Sequence, residues 1–325
     1  MADTPMIMAD APGKGAKGGL RWKQMKKDLR ANWELYIFLL LPLVWLIIFR
    51  YVPMYGVQIA FKNFSFRYGI WGSPWVGFMQ FQRFFTSPIF FTLLRNTLVL
   101  SLYGLFAVFP LPILLALALN SMKHIKYKKF IQMATYLPYF ISVVVLVGMM
   151  MTVLHPRVGL YGVLYNFFTG SYPRDLISSA TTFPHLYVWS GAWQGVGYSS
   201  IIFLAALSAV DPELHEAALI DGASRFQRVF HIDIPAIIPT ITILLILRAG
   251  QIMSIGFEKA FLMQNDLNRM TSEIISTYVY RVGLETGTGN FSFASAVGLF
   301  DSVINLTLLV IVNGISRKFN ETSLW

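Results

Sequence analysis

Six apolar runs, each close to the length of a bilayer helix, decide most of what this chain can become. A helix rises about 1.5 Å per residue, so crossing a hydrocarbon core of about 30 Å takes about 20 residues. Runs of that length lie at roughly 35–54, 97–119, 130–154, 186–210, 237–257 and 293–315. The chain is 55% hydrophobic and 13% charged, against roughly 45–50% and 25% in a soluble domain. The excess sits in the runs. The expected fold class is therefore all-α, a polytopic membrane bundle of six transmembrane helices. No cysteine is present, which excludes disulfides and thiolate chemistry.

The net charge of +10 is distributed as a topology signal, because Lys and Arg accumulate in cytoplasmic loops. Lys14, Lys17, Arg21, Lys23, Lys26, Lys27 and Arg30 precede the first run. Lys123, Lys126, Lys128 and Lys129 follow the second, Arg225 and Arg228 the fourth, and Arg317 and Lys318 the sixth. The other side carries its cations dispersed through longer loops. Both termini, and the connection after the fourth run, are expected in the cytoplasm. Residues 1–32 read as a disordered basic tail that contacts anionic lipid, and 33–325 as the membrane domain. The tail has no fold and little aromatic interleaving, so nucleic acid is not an expected partner. Residues 1–19 lack the apolar core and cleavage site of a signal peptide.

The connection after the fourth run is amphipathic and charged, unlike its flanks. Asp211-Pro212-Glu213 opens a helix, with Asp211 as N-cap and Pro212 in the first helical position. Ala217 and Ala218 are small enough for another backbone to come close. Gly222 ends or bends the helix, since glycine tolerates left-handed conformations. Arg225 and Arg228 then share a face of the next short helix, and Pro235 starts the fifth membrane helix. The expected product is a helix-turn-helix at the membrane surface that inserts into a cleft of another subunit. Its spacing is Glu216-Ala217-Ala218, three residues, Gly222, nine residues, Ile232-x-Ile234-Pro235.

Catalytic patterns are missing. No G-x-x-x-x-G-K-[ST] occurs, and Gly13-Lys14 lacks both the upstream glycine and the following Ser or Thr. His215-Glu216 has Leu219 where a zinc protease needs its second histidine. The glycines at 287 and 289 follow no strand, and His124, His155, His185, His215 and His231 are scattered. The chain reads as a non-enzyme whose energy comes from elsewhere. It is expected to bind no cofactor and no metal itself.

Polar residues inside apolar runs mark pathways or helix contacts. The fourth run holds Trp189, Trp193, Gln194 and Tyr198. The fifth places Arg248, Gln251 and Glu258 on one helical face, and the sixth has Asp301 and Asn305 four apart. Two readings stand side by side. These residues line a solute path, with aromatic faces for flat apolar surfaces and donors for hydroxyls or carboxylates. Alternatively they hold helices together, with Arg248 paired to Asp301 or Glu258. An Arg248 facing the path suits an acidic solute, which would be an acidic sugar if the solute is a sugar.

The spacing from Glu216 to Pro235 resembles the EAA loop of binding-protein-dependent ABC importer permeases, whose pattern is EAA-x3-G-x9-I-x-L-P. Ile234 replaces the leucine, a swap that keeps apolar volume. Resemblance extends from about 33 to 325, through FRYVPMYGVQIAFKNFSF, SPWVGF, RNTL, FPLPILLALALN, YLPYFISVVV, AALSAVDPELHEAALIDGASRFQRVFHIDIP, GFEKAFLMQN, TYVYRVGL, SAVGLFDSVIN and the terminal SLW. These stretches are most similar to the oligosaccharide and polysaccharide-fragment subgroup that includes the bacterial alginate importer. The resemblance implies a subunit of the bacterial inner membrane. Its partners would be a second homologous permease, two ABC ATPases holding ATP and Mg, an external solute-binding protein and an oligosaccharide. Glu216, Ala217, Ala218, Asp221, Gly222, Arg225 and Pro235 would couple to an ATPase. An ion-coupled sugar transporter, built around Asp301 or Glu258, and a non-transporting membrane scaffold are the alternatives. Neither needs a cytoplasmic docking helix of this spacing.

Overall fold

A computed structural model describes residues 27, 31–285 and 289–320. Most of the basic tail, three residues of the loop that holds Gly287, and the terminal SLW lie outside these. The chain divides into two units, one ending at Gln58 and one starting at Ile59. In the first, α1 (Trp33–Leu46) passes through a π turn at Ile47–Tyr51. The helical stretch as a whole runs Trp33–Phe61, 29 residues. Its apolar side chains from Trp33 to Met54 are exposed.

The second unit is mostly helical over the described residues. Among the described residues the only extended pairing is one antiparallel bridge, Lys62 to Trp75. The second span is α2 (Phe90–Val108) followed directly by α3 (Pro110–Asn120). Three further spans match the sequence expectation in place but not in outline. The third is broken rather than single: α4 (Ile125–Tyr136), with a 3-10 turn at Leu137–Phe140, meets α5 (Val143–Val153) at 98°. Pro138 has no N–H to continue the helix. Ser142 then caps α5 by accepting from the Val145 N–H at 3.3 Å. The Ile141 carbonyl freed at the break accepts from Gln194 Nε2 at 2.7 Å.

A short helix, α6 (Leu160–Thr169), fills the next connection. The fourth span is α7 (Phe183–Ser208), 26 residues. It turns by 71° into α8 (Pro212–Ile220). After α9 (Arg225–Arg228) and a π turn at Val229–Asp233, the fifth span continues as α10 (Ile234–Ala249). The π turn lies immediately before Ile234-Pro235, where the proline ring excludes an ordinary bond to the carbonyl of residue 231. This span ends at Ala249, short of the expected 257, because the backbone turns at 250–253 and runs irregularly to 256. Gln251 and Glu258 therefore do not continue the helical face of Arg248. Glu258 belongs to a separate helix, α11 (Phe257–Met263), and is followed by α12 (Ile275–Tyr280). The sixth span is α13 (Phe291–Asn320).

α7 is the central post, packing along α2, α3, α4 and α10. One buried cluster joins Leu100, Val147, Phe183, Ala260, Met263 and Ile274. Another joins Ala116, Leu117, Phe203, Leu207 and Ile237, under the charged connection. Where lipid replaces water, helices are held by close packing more than by apolar burial. Gly197 shows how close: a Cβ there would lie 2.0 Å from the Thr135 carbonyl oxygen on α4. We expect Gly197→Leu to force α4 and α7 apart, at about 1–3 kcal/mol or more. The thermal midpoint of the purified chain in detergent measures it, and an unchanged midpoint would contradict the contact.

Candidate functional site

The segment after the fourth span is built as its residues dictate. Asp211 caps α8, its Oδ1 accepting from the Glu213 N–H at 3.0 Å, with Pro212 in the first turn. Asp221 follows the last turn, and Gly222 adopts φ +77°, a region that costs residues with a Cβ roughly 1–2 kcal/mol. The Ala223 N–H closes the helix end on the Ala218 carbonyl at 2.8 Å. Ser224 and Gln227 then form a reciprocal cap on α9. Glu216, Ala217, Asp221, Gly222, Arg225 and Pro235 are exposed, and Ala218 is half-buried. Around them, Ile220 is 87% exposed and Phe226 78%, with Leu214, Leu219 and Phe230 also exposed. The surface is thus apolar as well as charged.

The underside is tied down by a contact that the sequence reading did not anticipate. Asp233, 3% exposed, lies 3.4 Å from His215 Nε2 on α8. Asn120 Nδ2, at the end of α3, donates to the same carboxylate at 3.3 Å. Arg228 adds a positive charge beside it. One carboxylate therefore joins α8, the C-terminal end of the second span and the start of the fifth. The cue was present as polar residues flanking apolar runs, but no spacing rule connects positions 120, 215 and 233.

A second candidate site is a cavity of about 660 Å³ between α2, α3, α7 and α10. Four of the expected pathway residues, Gln194, Tyr198, Arg248 and Gln251, line it. Tyr198 stacks on Tyr139 with ring centres 3.8 Å apart and planes within 4°. The structure puts the other expected residues elsewhere. Trp189 donates from Nε1 to the Tyr103 hydroxyl at 2.8 Å, and Trp193 is exposed. Asn305 braces the turn after α10: its Oδ1 accepts from the Met253 N–H at 2.9 Å, and its Nδ2 donates to Ser254 Oγ at 2.8 Å. Asp301 also accepts from Asn305, at 3.4 Å. Glu258 is exposed. Among the described residues Arg248 forms no ion pair, with Asp301, Glu258 or any other carboxylate.

Tyr139, Tyr187 and Lys259 also line the cavity. Lys259 lies just beyond the fifth apolar run, where it reads as a loop cation. Its place in Phe257-Glu258-Lys259-Ala260-Phe261, a short helix with apolar neighbours, is the signal that it is buried. Its Nζ donates to the Tyr187 carbonyl at 2.7 Å and sits 4.9 Å above the Tyr187 ring. Burial pushes its ammonium down to about 8.

A helical membrane bundle with a central cavity, an exposed helix-turn-helix and no nucleotide loop has the build of a transport subunit driven by other chains. The chain matches the family described as "Binding-protein-dependent transport system inner membrane component" over residues 31–321, and it belongs to that family. It is 42% identical to Protein LplB of Bacillus subtilis, over 97% of this chain and 98% of that one. It is 43% identical to the polygalacturonan/rhamnogalacturonan transport system permease protein YteP of the same organism, over 90% of each. A crystal structure of a bacterial ABC transporter involved in the import of the acidic polysaccharide alginate matches with a TM-score of 0.83 at 36% identity. That match covers 91% of this chain and 99% of that one. The chain is a membrane permease subunit of the ABC importer type, all-α, without an ATPase site of its own.

Proposed function

We propose that this chain conducts oligosaccharides through the inner membrane as one of two permease subunits in an ATP-driven importer. The observation that carries the reading is the combination, in one chain, of a lined cavity and an exposed helix-turn-helix seated on the same spans. Relatives named for polygalacturonan/rhamnogalacturonan and for the acidic polysaccharide alginate support a uronate-rich substrate class. The partners are a second homologous permease, two ATPases that hold ATP and Mg, and an external protein that delivers the sugar. The termini and the 211–235 segment lie on the cytoplasmic side, in keeping with the Lys and Arg distribution.

ATP binding closes the ATPase pair, and α8 moves with the cleft that holds it. Glu216 and Arg225 supply charged contacts there, Ala217 and Ala218 allow close fit, and Asp221 and Gly222 set the turn. Because Asp233 fastens α8 to the second and fifth spans, the displacement reaches helices that line the cavity. Access to the cavity then alternates between two states biased by nucleotide and by the loaded binding protein. Gln194, Tyr198, Arg248 and Gln251 contact sugar in transit. Trp189, Trp193, Glu258, Asp301 and Asn305 shape the surrounding spans.

The test is ATP hydrolysis by the complex reconstituted with neighbouring permease, ATPase and binding-protein genes. Hydrolysis is expected to rise when binding protein loaded with uronate oligosaccharide is added. Uptake that proceeds without any ATPase and follows an ion gradient would overturn the reading.

A further inference from the structure

The cavity lining contains two cationic side chains, Arg248 and Lys259, and no aspartate or glutamate. Lys259 is only 8% exposed. Charge this deeply placed costs free energy unless it is paired, yet among the described residues no carboxylate pairs with it. An ammonium carries three donors, and one is spent on the Tyr187 carbonyl. We propose that Lys259 selects acidic sugars, its remaining donors receiving a uronate carboxylate of the oligosaccharide held in the cavity. This rests on the oligosaccharide reading above.

Three observations support the assignment. Lys259 stands on α11, whose Ala260 and Met263 are fully packed in the cluster with Leu100 and Phe183, so the stem is held by a rigid base. Gly191 on α7 leaves room for the ammonium, since a Cβ there would come within 3.1 Å of Nζ. The stacked Tyr139–Tyr198 pair, also in the lining, offers an aromatic face on which a sugar ring can rest while its carboxylate is held. The lowered proton affinity of Lys259 fits a cation waiting for its counter-ion, because an arriving carboxylate restores the stability of the charged form.

The experiment uses the full complex in proteoliposomes. Uptake is compared for trisaccharides of galacturonate, mannuronate and guluronate and for the carboxyl-reduced counterpart of each. For the preferred sugar, Lys259→Gln keeps a donor for the Tyr187 carbonyl but removes the charge. It is expected to lower the acidic-to-neutral ratio of kcat/KM by about tenfold or more, the size of one hydrogen bond to a charged group. Lys259→Arg should restore most of that ratio. A ratio unmoved in Lys259→Gln overturns the proposal and leaves Lys259 as a tie between α7 and α11. If Lys259→Gln does not co-purify with its ATPases, Gly191→Leu takes the same test by displacing the ammonium from its place beside α7, with the same two outcomes. Wild-type uptake of neutral trisaccharides alone would overturn the role of Lys259 and keep the oligosaccharide reading. Wild-type uptake of neither kind, with ATPases present, would remove both.

Discussion

Replacing Asp233 with alanine is expected to abolish ATP-driven uptake. The carboxylate is almost fully buried, His215 and Asn120 contact it, and the charge of Arg228 lies close enough to favour its ionised form. Removing one partner from a buried charged cluster typically costs about 3–5 kcal/mol, because the others are left without their counterpart. His215 is partly exposed and regains water, so the lower end of that range applies. The loss should appear as an ATPase that still hydrolyses ATP but no longer responds to loaded binding protein. Asp233→Asn, which keeps an acceptor for Asn120, should be intermediate. Normal stimulation in Asp233→Ala would show that α8 needs no fastening to the spans.

Gly222→Asp should weaken coupling by a different route. Its backbone is at φ +77° with open space around the missing Cβ. The penalty is therefore conformational rather than a clash, about 1 kcal/mol, because aspartate enters the left-handed region more readily than most residues with a Cβ. A second carboxylate beside Asp221, at the negative end of α8, adds a further repulsion of about 0.3–1 kcal/mol. Together these amount to roughly tenfold or more in the population of the docked shape. The measured quantity is uptake per assembled complex. Membrane insertion should be unaffected, since the glycine is exposed and outside the spans. Full uptake by this variant would sink the coupling role of the turn.

Much of this architecture is written along the chain in local terms. The cap at Asp211, the left-handed Gly222 and the apolar runs are set by neighbouring residues, so composition and spacing reveal them. The cavity is another matter. Gln194 and Tyr198 can be paired by helical spacing, but their meeting with Tyr139 and Lys259 depends on how α4, α7 and α11 pack. Arg248, Gln251 and Glu258 fit one face only while the fifth helix continues past Ala249, and the turns at 250–253 end that series. Asn305, read as a pathway residue or helix glue, spends both ends of its amide on the turn after α10 and on Asp301. The break in the third span was also hidden, because Pro138 reads equally well as a kink in a continuous helix.

The π turn at Val229–Asp233 sets the azimuth of everything downstream. A wide turn absorbs one residue more than an α turn, and one residue corresponds to about 100° of rotation. Counting in steps of 3.6 from Arg225 would therefore aim Arg248 about a quarter-turn away from where it stands. The turn works as a phase shifter between the docking segment and the cavity wall. Deleting a single residue there would leave both ends chemically intact and rotate one relative to the other.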